Sequence, residues 1–81
     1  MTETVITLNG AQRDIDAGAT VTVLVAELTG REIGPDGRAL DGKRLGVAVA
    51  RNAEVVPRSQ WSGVVLAAGD DLEIVTAVQG G

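Results

Sequence analysis

A chain of 81 residues has room for one domain with a small core, and its 44% hydrophobic content is enough to fold it. It has neither cysteine nor histidine, which excludes disulfides, a thiolate nucleophile and the commonest general base, so a stand-alone hydrolase or metalloenzyme is not expected. The net charge of −4 argues against a nucleic-acid partner, which normally meets a basic surface.

The first predicted element is a β-hairpin. Residues 4–8 alternate between apolar and polar side chains, as a half-buried strand does. Asn9 and Gly10 follow, and both residue types tolerate the positive φ of a two-residue hairpin turn. The spacing then predicts a second strand over residues 11–15.

Residues 20–28 fit both a strand and a helix. Their β-branched content and the alternation of their valines favour a strand. Four apolar residues also fall on one helical face, with the i, i+3, i+4, i+7 spacing: Val21, Leu24, Val25 and Leu28. Thr20 is suited to an N-cap and Gly30 to a helix end, but the local pattern leaves both structures open.

Residues 30–43 have the composition of a loop, with four glycines, one proline and two Asp-Gly pairs. The pattern predicts a polar and mobile segment. So long a loop in a small domain is either functional or a tolerated insertion, and we expect the insertion.

Four short apolar segments follow, at residues 45–51, 54–56, 64–66 and 72–78. The first has small and β-branched residues on both faces, which predicts a central strand covered on both sides. Pro57 ends the second segment and begins a single helical turn that reaches Trp61. The adjacent carboxylates of Asp70 and Asp71 precede the last segment, and we assign them to a turn and not to acid–base chemistry.

The order of elements is a hairpin, a helix and two or three further strands. One economical arrangement places the last strand beside the first, in the middle of the sheet, with the helix on one face. The sequence therefore predicts an α+β fold in which a mixed sheet of four to five strands packs on one main helix, the β-grasp or ubiquitin-like fold.

Several motifs resemble those of the ThiS family. Residues 47–61 (VAVARNAEVVPRSQW) resemble the stretch in which a ThiS strand runs through Asn into VPR-x-x-W. Residues 68–74 (AGDDLEI) resemble the turn and last strand of the same family, and residues 8–10 and 17–21 also fit. The resemblance spans nearly the whole chain except residues 30–43, which look like an insertion.

The resemblance implies a helix after Thr20, because ThiS proteins are helical at this place. Two residues depart from the family pattern. Val23 stands where an acidic or polar residue would complete a capping box, which weakens the start of the helix. Gln79 precedes the final glycines where many relatives have a small residue, which affects how the tail fits a partner.

The chain ends in two glycines, which make a terminal carboxylate accessible because they lack a Cβ and thread a narrow slot. Four extended residues reach roughly 13 Å, far enough to enter a partner's active site. We therefore expect one domain over residues 1–77 and a flexible tail over residues 78–81, with Val78, Gln79 and Gly80 entering the partner. Terminal glycines alone also fit a frayed end.

The resemblance implies a sulfur carrier that is not itself an enzyme. The carboxylate of Gly81 would be adenylylated and converted to a thiocarboxylate, which donates sulfur for thiamine thiazole synthesis. The implied partners are a ThiF-like adenylyltransferase, a ThiG-like thiazole synthase, and a cysteine desulfurase or other sulfur donor. No cofactor is expected on the carrier, since the activating partner uses ATP and Mg.

Partner docking is predicted for four residues, Arg58, Trp61, Leu72 and Ile74. Trp is frequent at interface hot spots, although for Trp61 we favour a place at the edge of the aliphatic core. Arg58 has two interpretations, a contact with a partner carboxylate or with a backbone carbonyl of its own chain. Leu72 and Ile74 dock if they face away from the helix and belong to the core if they do not.

Three other functions stay open from the sequence. The small subunit of molybdopterin synthase shares the fold and the Gly-Gly end, although VPR-x-x-W favours ThiS. A ubiquitin-like modifier would join Gly81 to a lysine, and a plain interaction domain would not use its tail. No segment resembles a signal peptide or a membrane span, so we expect a cytoplasmic protein without a membrane partner.

Overall fold

The computed structural model describes residues 3–43 and 45–76. Within them one α-helix lies against one face of a five-stranded sheet. The elements are β1 (Glu3–Leu8), β2 (Ala11–Asp16), α1 (Val21–Thr29), β3 (Val47–Arg51), β4 (Glu54–Val55), a 3₁₀ helix (Arg58–Gly63) and β5 (Asp71–Thr76). No helix in this part of the chain is long and apolar enough to cross a membrane.

The sheet has the strand order β2-β1-β5-β3-β4. The last strand, β5, occupies the centre, where it runs parallel to β1 and antiparallel to β3. This confirms the prediction that the final strand joins the first in mid-sheet. The α+β prediction is confirmed with it, because a mixed sheet with a helix on one face is the β-grasp arrangement.

The predicted hairpin forms around Asn9 and Gly10, whose φ angles are 50° and 84°. Both angles lie in the left-handed region that a tight two-residue turn requires. The register pairs Leu8 with Ala11 directly across the turn. Each strand is one residue longer than the sequence predicts, since β1 begins at Glu3 and β2 ends at Asp16.

Residues 21–29 are helical, as the resemblance implies. The hydroxyl oxygen of Thr20 accepts a hydrogen bond from the Val23 amide at 3.3 Å, which caps the N-terminus. Gly30 adopts φ 70° and its amide donates to the Ala26 carbonyl at 2.9 Å, which ends the helix. Capping at both ends and burial of one apolar face together outweigh the strand preference of the valines.

Residues 30–43, called here the 30–43 loop, contain no helix and none of the five strands, in agreement with the predicted loop. They form a small hairpin in which Ile33 bridges to Ala39. Two backbone hydrogen bonds close it, from Gly34 N–H to Arg38 O at 2.8 Å and from Leu40 N–H to Glu32 O at 2.9 Å. The glycines serve its turns, so the same composition that indicates a loop also permits an ordered hairpin.

The core lies between α1 and one face of the sheet, and it is aliphatic except for Trp61. β3 begins at Val47, two residues later than predicted, and only one of its faces is covered. Val47 and Val49 are buried, whereas Ala48 is exposed on the other face. The prediction of a strand covered on both sides is therefore wrong, because the single helix protects only one face of the sheet.

Candidate functional site

The candidate site is the end of the sheet from which β5 leads into the C-terminal segment. At this end Thr76, the last residue that the structure describes, pairs with Val47 on β3. The tail predicted from the sequence lies outside the described residues, and its members are Val78, Gln79, Gly80 and Gly81. Their roles, and the division into residues 1–77 and 78–81, stay predictions.

Asn9 holds β5 close to this end. Backbone pairing between β1 and β5 reaches the hydrogen bond from Asn9 N–H to Leu72 O at 2.9 Å, after which the chain turns away. The Asn9 side chain continues the ladder, because its Oδ1 accepts from Ile74 N–H at 2.9 Å and its Nδ2 donates to Ile74 O at 3.2 Å. β5 is thus held on this side two residues beyond the last backbone bond.

Arg58, a predicted docking residue, is bound within its own chain. Its guanidinium donates to the carbonyls of Gly37 at 3.2 Å, Val47 at 2.9 Å and also Leu45. The same group lies 5.1 Å from the centre of the Trp61 ring, within the range of a cation–π contact. Of its two interpretations, the structure supports the backbone contact, so Arg58 joins the 30–43 loop to the start of β3.

The other three predicted docking residues are core residues. Trp61 is 1% exposed and its indole N–H donates to the Val56 carbonyl at 2.9 Å, as the core interpretation requires. Leu72 and Ile74 are 0% and 7% exposed, because they lie on the face of β5 that α1 covers. The prediction that these three side chains dock a partner is wrong, because they are buried in this fold.

The opposite face of the same strands carries exposed apolar side chains, which the sequence reasoning missed. Val75 on β5 and Val55 on β4 are 64% and 77% exposed, respectively. They line a shallow groove of about 160 Å³ together with Ala48, Ala50 and Glu73. The strand alternation was the available signal, because it places Val75 on the face opposite Leu72. We call Ala48, Val55 and Val75 the open-face patch.

Asp70 fixes the turn that precedes β5. Its carboxylate accepts hydrogen bonds from Arg51 Nε at 2.9 Å, Asn52 Nδ2 at 3.2 Å and the Ala67 amide at 2.8 Å. Burial acts to raise the pKa of Asp70, but these hydrogen bonds and the charge of Arg51 outweigh it and hold the pKa below its ordinary value. The side chain of Asp70 serves the turn, as the sequence predicts, whereas Asp71, assigned to the same turn, is the first residue of β5.

Basic side chains line a second and larger groove near this end, between the 30–43 loop and the start of β3. Its volume is about 800 Å³, and Arg38, Lys43 and Arg58 line it with Ala39 and Leu45. We call it the basic groove. Among residues 3–43 and 45–76, no group of three or more His, Cys, Asp or Glu side chains is placed to hold a metal ion.

Comparison with known proteins identifies the family. The sequence model of the ThiS family matches residues 6–81. A protein named thiazole synthase, from Paramagnetospirillum magneticum (strain ATCC 700264 / AMB-1), is 40% identical over 76 residues, which cover 94% of this chain and 20% of that protein. The chain thus spans about a fifth of the length of this curated relative.

Two solved structures are also similar. The thiamine biosynthesis protein (ThiS) from Geobacter metallireducens superposes with a TM-score of 0.65 at 24% identity, over 95% of this chain and 99% of that one, and supports the fold. SAMP1 from Haloferax volcanii gives a TM-score of 0.50 at 25% identity, over 99% and 100% of the two chains. With the fold matched and nearly the whole sequence covered by the family model, the chain belongs to the ThiS family of sulfur-carrier proteins.

Proposed function

We propose that the chain carries sulfur as a thiocarboxylate on Gly81 and donates it for the synthesis of the thiamine thiazole. The observation that carries the proposal is the family match, which extends through residue 81 and so includes the segment that would hold the sulfur. The proposal requires Gly81 to bear a free carboxylate. The chain has no Cys or His, so the groups that catalyse the chemistry would belong to its partners.

The chemistry has two steps. An oxygen of the Gly81 carboxylate attacks the α-phosphorus of ATP, and the bond to the β-phosphate breaks to release pyrophosphate. A sulfur nucleophile at the oxidation level of sulfide then attacks the carbonyl carbon of this mixed anhydride, and AMP leaves with the bonding electrons. An activating ThiF-like adenylyltransferase would bind Mg-ATP. The sulfur would come from sulfide itself, or from the persulfide of a cysteine desulfurase after a thiol reductant has taken it to the level of sulfide and become a disulfide.

The described end of β5 supports this role, because it gives the tail a fixed base. Thr76 pairs with β3, and two residues earlier Ile74 is bonded to the Asn9 side chain. Residues 77–81, if extended, reach about 17 Å from this base. A partner that grips the domain near Thr76 would therefore place Gly81 at a defined distance.

The open-face patch is our proposal for the docking surface. Val75 precedes the last described residue, so the patch adjoins the base of the tail. Exposed valines beside the carboxylate of Glu73 match the apolar centre and polar rim of a protein interface. This surface replaces the docking set of Trp61, Leu72 and Ile74, whose side chains are buried.

Thiazole synthase is our proposed sulfur acceptor. A stretch similar to this chain forms a fifth of a protein that is itself named thiazole synthase. Two activities in one polypeptide commonly act in succession, which supports a functional pairing of a domain like this one with thiazole synthase.

The test is a reconstitution with two alternative acceptors. The chain is loaded with sulfur by a ThiF-like enzyme, and it is then mixed with thiazole synthase or with the large subunit of molybdopterin synthase. We expect that the thiocarboxylate is consumed and the thiazole is formed with the first acceptor only. Transfer to the second acceptor alone would favour a molybdopterin role, and covalent conjugates on protein lysines would favour a modifier.

A further inference from the structure

The basic groove is unusual for a chain of net charge −4. Three of the seven basic residues, Arg38, Lys43 and Arg58, line this one groove. Acidic residues of the same loop, such as Asp36, which accepts from the Arg38 amide at 3.0 Å, are not among the residues that line the groove.

Two of these three cations are available to a partner. The guanidinium of Arg58 is engaged by backbone carbonyls, as described above. Arg38 and Lys43 are exposed, and neither side chain takes part in the ion pairs found in the described part of the chain. The nearby Asp41 carboxylate is occupied, because it accepts from Arg31 Nη2 at 3.0 Å and from the Lys43 amide at 2.8 Å.

The groove adjoins the base of the C-terminal segment. Arg58, on its wall, donates to the carbonyl of Val47, and Val47 is the strand partner of Thr76. Paired residues of neighbouring strands lie about 5 Å apart. A protein that binds residues 77–81 would therefore contact this end of the sheet, where the groove lies.

We propose that the basic groove docks an acidic segment of the enzyme that receives the C-terminal segment. The inference rests on the proposed function, because it needs a partner that takes up the tail. It concerns the 30–43 loop, and it makes that loop a determinant of partner choice.

The chemistry of the loop favours carboxylates over a phosphate group. The Lys43 amide already donates to Asp41 Oδ1 at 2.8 Å, so it is not free to join a cradle of backbone amides around a phosphate group. Recognition is left to the planar guanidinium of Arg38, which can bind a carboxylate through two hydrogen bonds, and to the ammonium group of Lys43. An acidic segment carries several carboxylates, so it can offer one to each of these two cations in the same groove.

The groove is also fixed before a partner arrives. Arg58 holds the loop at Gly37, and the Ser62 hydroxyl donates to the Pro35 carbonyl at 3.2 Å. The loop that carries Arg38 and Lys43 is thereby anchored to the 3₁₀ helix. Preorganised charges bind with less loss of conformational freedom, which improves affinity and selectivity.

The test compares R38Q/K43Q with a matched control, Q12E/A17E, which lowers the net charge by the same amount. Gln12 lies on β2 and Ala17 follows it, at the edge of the sheet opposite β4. The affinity of each for a ThiF-like adenylyltransferase and for thiazole synthase is measured by calorimetry at low and high salt. We expect R38Q/K43Q to bind at least one partner about fivefold to tenfold more weakly at low salt. The deficit should fade at high salt, whereas the control should bind like the wild type.

Equal affinity of R38Q/K43Q and wild type for both partners would overturn the inference, and so would an equal loss in the control. An NMR titration adds a second test. In this titration, inorganic pyrophosphate is compared with a hexaglutamate peptide. If pyrophosphate shifts the Arg38 and Lys43 amide signals at the lower concentration, the groove is a phosphate site and the inference is overturned. Sulfur loading of the wild type is read separately by mass spectrometry, so its failure would count against the proposed function and not against the groove.

Discussion

The side-chain amide of Asn9 forms hydrogen bonds with both backbone groups of Ile74, at 2.9 Å and 3.2 Å, across 65 positions of sequence. It takes the place of the next residue that β1 would have contributed had the chain not turned at Gly10. One side chain thus couples the first hairpin to the central strand, two residues before Thr76, where that strand leads into the tail.

Replacing Asn9 by Gly should loosen β5 next to the tail. Glycine keeps the positive φ that this position requires, so the variant removes the two side-chain bonds without adding backbone strain. We expect the free energy of unfolding to fall by about 1–3 kcal/mol, with faster hydrogen exchange at the Ile74 amide. Asn9→Ala should lose more stability because it adds strain, and unchanged exchange at Ile74 in both variants would contradict this account.

Gly37 should be much less tolerant of a side chain than Gly42 in the same loop. Both have positive φ, 80° and 77°, so alanine is strained at either position. A Cβ on Gly37 would lie 2.6 Å from the Cβ and carbonyl oxygen of Arg58, whereas a Cβ on Gly42 meets nothing within 4 Å. We expect Gly37→Ala to cost about 1–3 kcal/mol more than Gly42→Ala.

Urea denaturation measures this difference, and the fluorescence of Trp61 reports it. Trp61 is the only aromatic residue and is 1% exposed, so its emission should shift to longer wavelength when the chain unfolds. Equal midpoints for the two alanine variants would show that the 30–43 loop is not anchored on Arg58.

Acid should destabilise the fold through Asp70. Because the pKa of this carboxyl is lower in the folded state than its ordinary value of 3.8, its contribution is fully present above about pH 4. The contribution is lost as the pH falls through the lower, folded-state pKa. Asp70→Asn should cost about 1–3 kcal/mol at neutral pH and flatten the pH dependence of stability below about pH 4.

The exposed neighbour Asp71 provides the control for this prediction. Asp71→Asn removes the same negative charge from the neighbouring position, but Asp71 is exposed. Chemical denaturation of both variants between acid and neutral pH separates the two carboxylates. If Asp71→Asn flattened the acid limb as much as Asp70→Asn, the assignment to Asp70 would be wrong.

The open-face patch should contribute to partner affinity without contributing much to folding. Val75 is 64% exposed, so Val75→Ser should leave the unfolding midpoint nearly unchanged. Loss of its contact in a complex should cost about 1–2 kcal/mol, or about 5- to 30-fold in the dissociation constant. Calorimetry with the ThiF-like enzyme and with thiazole synthase measures this change in the dissociation constant.

Val5 supplies a matched control on the same face. It is 42% exposed and lies two residues before Thr7, whose strand partner Asp71 lies four residues before Val75. Six strand positions, or about 20 Å, therefore separate the two valines along the sheet. Val5→Ser should bind the partners like the wild type. A loss in Val5→Ser as large as in Val75→Ser would place the docking surface elsewhere.

Local chemistry made much of the fold predictable. Asn9 and Gly10 specify their turn by backbone preference alone, and the caps at Thr20 and Gly30 mark both ends of the helix. The 30–43 loop was not predictable in the same way. Its contacts come from Arg58, 21 residues after Gly37, and from Ser62, 27 residues after Pro35, and no local pattern reveals such distant partners.

The docking surface shows a second limit of sequence reasoning. Alternation along β5 separates Leu72 and Ile74 from Val75, but it does not say which set the helix covers. That choice depends on the crossing of α1 over the sheet, which is a property of the whole fold. The family motifs, by contrast, were readable at once, and the family match confirms the sulfur-carrier class that they indicated.

Intact-protein mass spectrometry can show whether Gly81 takes up sulfur. The chain is incubated with a ThiF-like adenylyltransferase, Mg-ATP and a sulfide source, and a variant lacking Gly81 serves as the control. We expect an adenylate adduct and then the mass gain of one oxygen-to-sulfur exchange, confined to the C-terminal peptide and absent from the control. An unmodified Gly81, under conditions in which the same enzyme loads a known carrier, would contradict it.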